Sequence, residues 1–127
     1  KNKLICLCSV KKIYFIRHGE SEGNAGAIIL ARTIIPALSS DSNDVGLKDF
    51  IALDLVHGYD IWCHYRSQED EDIKLYMEKY NLKKIVATPE SAGLYVTENK
   101  IEAVGPSDVV VFEDSSKKIF HPGQFLI

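Results

Sequence analysis

Lys11-Lys12-Ile13-Tyr14-Phe15-Ile16, followed at once by Arg17-His18-Gly19-Glu20-Ser21-Glu22-Gly23-Asn24, is the stretch on which the reading of this chain turns. Its β-branched and aromatic residues predict a buried strand. The strand stops in a polar string, and a helix is expected from about residue 25 to residue 32, with Pro36 as its limit. An arginine and a histidine at the end of a buried strand lie where open α/β sheets hold their ligands. Arginine presents a fixed fork of donors that matches phosphate oxygens. A neutral imidazole beside it can attack phosphorus, because neighbouring cations offset the repulsion of an incoming nucleophile. Gly19 lets the backbone come close to a ligand, while Ser21, Asn24 and the amides opening the next helix add donors. The bland alternative is a pair of surface residues at a strand end.

Downstream, Leu47, Phe50, Ile51 and Leu55 recur at helical spacing, which predicts a helix over about residues 46–56 with Gly58 beyond its end. Residues 59–65 read as a second buried strand. Ser67-Gln68-Glu69-Asp70 has the form of a capping box, and Ile73, Tyr76, Met77 and Tyr80 supply the apolar stripe of the helix it opens. A strand is expected at residues 85–87, a hairpin around Glu98-Asn99, and a central strand at residues 108–112 with its three consecutive valines. Strands alternating with helices predict an α/β fold, a mostly parallel central sheet flanked by helices, in a single domain over residues 1–127.

The 127 residues are 46% hydrophobic and 26% charged, with a net charge of −3, the profile of a globular protein. That balance argues against a nucleic-acid or acidic-membrane binder. Cys6, Cys8 and Cys63 are odd in number and lack zinc spacing, so reduced thiols and a cytoplasmic location are expected. Residues 1–10 match a secretory signal only partly, and no run is long enough to span a bilayer. Neither metal nor cofactor is expected.

The string from Ile13 to Asn24 resembles the signature of the histidine phosphatase (phosphoglycerate-mutase-like) superfamily, the RHGE motif included. That resemblance implies a compact or degenerate version of its fold and a metal-independent phosphatase. His18 would carry the phosphoryl group as phosphohistidine, with Arg17 and Asn24 on its oxygens. It further implies a second arginine, for which Arg66 is the candidate, and a general acid, for which Glu90 in Thr88-Pro89-Glu90 is the candidate. A second histidine is expected after Val109-Val110-Val111-Phe112, where this chain has Glu113-Asp114; His121 stands several residues on. The implied partner is a phosphorylated small molecule or phosphoprotein. A mutase with the same nucleophile is the alternative, as is a phosphate- or partner-binding pseudoenzyme. Val111 to Ser115 also resembles a late segment of haloacid-dehalogenase-type phosphatases, but their N-terminal aspartate motif is missing.

Overall fold

In the computed structural model, residues 14–17 (backbone only), 28–39, 43, 46–114 and 116–127 are described. Seven strands lie among them: β1 (Tyr14–Arg17), β2 (Asp60–Cys63), β3 (Lys84–Thr88), β4 (Gly93–Val96), β5 (Ile101–Val104), β6 (Val109–Glu113) and β7 (Ser116–Phe120). They form two sheets, one ordered β1-β4-β5 and one ordered β2-β3-β6-β7. Only β2 and β3 run parallel; every other pairing is antiparallel.

The helix α1 (Asp70–Tyr80) makes the crossover between the parallel pair. Asp70, Glu71 and Asp72 fill its first turn and Lys79 its last, each favoured by the helix dipole. Asn81 ends it in a left-handed conformation, donating its N–H to the Met77 carbonyl. Ile73 and Met77 face inward, each side chain stabilising the fold by roughly 1.5–3 kcal/mol through burial.

Strand alternation sorts the four-stranded sheet into two faces. Ile61, Val86, Val109 and Val111 look toward Leu94, Val96, Ile101 and Ala103 of the other sheet. Trp62, Ile85, Ala87, Val110 and Phe112 look the other way, onto Ile73, Met77 and Leu82. The layers are therefore sheet, sheet and helix.

This corrects the expected fold, a mostly parallel sheet flanked by helices. A parallel pair needs a crossover of about a dozen residues or more, and the links between β3 and β4, β4 and β5, and β6 and β7 are far shorter. The expected helix over residues 46–56 does not form: the segment is irregular, with Gly46 and Asp54 at positive φ and a single bridge at Ile51. Its backbone bonds back to residues 29–34, through Ile34 N to Phe50 O and Ala52 N to Arg32 O among others. Phe50 and Ala52 are half-buried while Ile51 and Leu53 are exposed, a period of two hidden inside an apparent period of four.

Candidate functional site

The carboxyl ends of the parallel strands β2 and β3 lie side by side, with Cys63 paired to Thr88. His64 follows the first strand and Glu90 follows the second, so both emerge from the edge where such sheets bind ligands. His64 Nδ1 and Glu90 Oε2 are 3.5 Å apart, with the side chains 35% and 71% exposed. A carboxylate beside Nδ1 favours the tautomer protonated there, which leaves Nε2 as the basic atom.

His64 has a φ of 54°, in the left-handed region that few residues other than glycine enter, although histidine does so more readily than most. Its neighbours fix that turn. Tyr65 donates its N–H to the Thr88 carbonyl at 3.1 Å. Glu69 Oε1 accepts from the Trp62 indole at 3.3 Å and from the Arg66 amide at 3.0 Å, and so bridges the residues on either side of His64. Only half of a capping box forms here: Glu69 reaches back to the Arg66 amide and opens a short 3-10 turn ahead of α1, while the return bond runs from the Glu69 N–H to the Arg66 backbone carbonyl.

Other strand ends converge on the same rim. A tight turn, closed by Ala92 N to Pro89 O at 3.1 Å, carries the chain from β3 into β4. The first residue of β4, Gly93, pairs with Arg17, the last residue of β1, and with Val104, the last of β5. The exit of β1 therefore sits beside the turn that bears Glu90. Ser91 and Ser107 bond through their hydroxyls, and His121 Nδ1 meets Asp108 Oδ1 at 2.8 Å.

Of the residues singled out in the sequence, His18, Gly19, Ser21 and Asn24 and the side chain of Arg17 lie outside the described residues. So does the signal-like segment of residues 1–10. Arg66 is exposed and serves as a helix cap through its backbone. Glu90 and His121 reach the same rim but in separate pairs, one with His64 and the other with Asp108. His64, which the sequence does not single out, is the residue that Glu90 meets. Among the described residues no three His, Cys, Asp or Glu side chains cluster as metal ligands would, and no helix is long and apolar enough to cross a membrane.

No family model matches the chain. No curated protein matches it either. A solved structure of a candidate peptidase E from Listeria monocytogenes EGD-e is similar in fold, with 22% identity and a TM-score of 0.50 over 65% of this chain and 41% of that one. The chain thus spans about two fifths of the length of the structure it matches.

These findings overturn the resemblance to the histidine phosphatase superfamily. The phosphatase and mutase activities and the phosphohistidine intermediate that it implied go with it. A dozen similar residues do not carry a fold built over the whole chain. Where that superfamily would place its late histidine and glycine, Asp114 takes a left-handed φ of 56° and turns β6 directly into β7.

Proposed function

We propose that the chain carries part of a serine-type hydrolase acting on peptide bonds, with Ser21 as nucleophile, His64 as general base and Glu90 as the carboxylate that orients it. The observation carrying this reading is the His64–Glu90 pair at the ends of adjacent parallel strands. A second feature supports it. In the sequence, Gly19-Glu20-Ser21-Glu22-Gly23 begins two residues after β1 and has the form G-x-S-x-G, a pattern that in α/β-hydrolases marks a nucleophilic serine. Hydrolysis of a peptide is suggested by the fold's likeness to the candidate peptidase E.

In this reading His64 Nε2 takes the Ser21 hydroxyl proton as Oγ bonds to the scissile carbonyl carbon. The carbon–nitrogen bond then breaks, and the same proton passes to the leaving amine. Water, deprotonated by His64, releases the acyl group as a carboxylic acid and restores Ser21. Glu90 holds Nδ1–H and stabilises the imidazolium between these steps.

Labelling with a fluorophosphonate probe, read by tandem mass spectrometry, tests the assignment. The adduct should fall on Ser21, disappear in Ser21→Ala, and form about 10²–10⁴-fold more slowly in His64→Ala. An adduct elsewhere, or one that His64→Ala leaves undiminished, overturns it.

A further inference from the structure

The left-handed turn at His64 needs surroundings that hold it, since such a conformation costs about 1–3 kcal/mol for a residue other than glycine. Tyr65, the next residue, is buried and sets its ring edge-on to Phe112, with centroids 6.1 Å apart. Its hydroxyl donates to Asp70 Oδ1 at 2.6 Å. The other oxygen of Asp70 accepts from Lys117 Nζ, also at 2.6 Å. Asp70 begins α1 and Lys117 belongs to β7. One carboxylate therefore joins the helix, the outer strand and the residue beside His64.

The chemistry of the three groups agrees with a working pair. Burial pushes the Asp70 carboxyl up, but the hydrogen bonds from Lys117 and Tyr65 outweigh it and hold the group below its ordinary range. The Asp70 hydrogen bond raises Lys117 in turn. Burial and the bond to Asp70 raise the Tyr65 phenol, which keeps it a donor.

We infer that Asp70 is a positioning residue of the candidate site, holding His64 in its left-handed turn through Tyr65 while Lys117 fixes the carboxylate. The inference rests on the proposed role of His64, but its first test does not require activity. Charge-assisted bonds of this length are about twice as strong as neutral ones. Lys117→Arg keeps the charge and should keep the turn, whereas Asp70→Asn and Tyr65→Phe should each release it.

The experiment is heteronuclear NMR on the whole chain. The amide–Hα coupling and the Cα and Cβ shifts of His64 report its φ directly. In the wild type and Lys117→Arg they should show the left-handed signature; in Asp70→Asn and Tyr65→Phe the signature should fade while the fold persists. Tyr65→Phe removes only a hydroxyl, so it remains informative should Asp70→Asn fail to fold. Fluorophosphonate labelling of Ser21 should slow by roughly ten- to a hundredfold in the two disruptive variants, in line with small misplacements of a catalytic group. A His64 signature unchanged in Tyr65→Phe overturns the positioning role whatever the labelling does. A wild type with the signature but with no Ser21 adduct overturns the hydrolase reading instead.

Discussion

Gly105 and Gly123 provide a matched pair of substitutions. Their φ values are +96° and +94°, so alanine suffers similar backbone strain at either position. Their surroundings differ. A Cβ on Gly105 would lie 2.6 Å from the Ser91 carbonyl oxygen and 3.3 Å from the Ala92 Cα, whereas a Cβ on Gly123 meets nothing within 4 Å among the described residues. The obstacle at Gly105 is backbone, and that backbone is held. Ala92 N bonds to Pro89 O, and Gly93 pairs with strands on both sides. Strain alone should cost Gly123→Ala about 1–3 kcal/mol. Gly105→Ala should cost about 1–3 kcal/mol more, the usual penalty for overpacking a site that cannot relax. Urea unfolding of both variants measures the difference. Because the Ser91 turn also carries Glu90, Gly105→Ala should slow Ser21 labelling as well, and Gly123→Ala should not. Equal destabilisation by the two substitutions would refute the crowding argument.

Asp60 is buried, with Oδ1 accepting from the Thr33 amide at 2.7 Å and from its hydroxyl at 2.6 Å, while Oδ2 has no hydrogen-bond partner among the described residues. Burial raises its carboxyl above the ordinary range, against the lowering effect of Thr33 and Arg32. A group raised in the folded state contributes stability that is full below its unfolded pKa and is lost as pH rises through the folded one. Asp60→Asn should therefore gain on the wild type between acid and neutral pH in urea titrations; a gap that stays constant from pH 4 to pH 7 contradicts this. Burial pushes the Cys63 thiol up to about 12, so the thiolate that reacts is scarce at neutral pH. Iodoacetamide at pH 8 should modify Cys63 far more slowly in the native protein than in urea, as peptide mapping would show; equal rates in the two states would contradict the raised thiol pKa.

Local patterns in the sequence translate well into structure where one period dominates. The stripe of Ile73, Tyr76, Met77 and Tyr80 predicts α1, and the two apolar runs around Glu98-Asn99 predict the β4–β5 hairpin. Residues 46–56 fail because Leu47, Phe50, Ile51 and Leu55 satisfy a helical spacing while the backbone partners at residues 29–34 hold the segment in an irregular path. Sheet direction fails for a related reason, since that lost helix was one of the crossovers a parallel sheet requires. At the site, Glu90 is legible from its place after β3, but its partner is not. A single histidine at a strand end carries little information until the neighbouring strand is known. Ser21 sits in a string that fits two motif readings, and the arginine and histidine before it favour the one that the fold rejects.

The chain has a single tryptophan, Trp62, and it is a built-in optical reporter. It lies two residues before His64, with its ring edge-on to Tyr76 at 5.5 Å and its indole N–H bound to Glu69. An indole packed against a helix and bonded to a carboxylate changes its emission when either contact is lost. Fraying of the α1 entrance would therefore be visible as a spectral shift below the main unfolding transition, with no added dye and no altered residue.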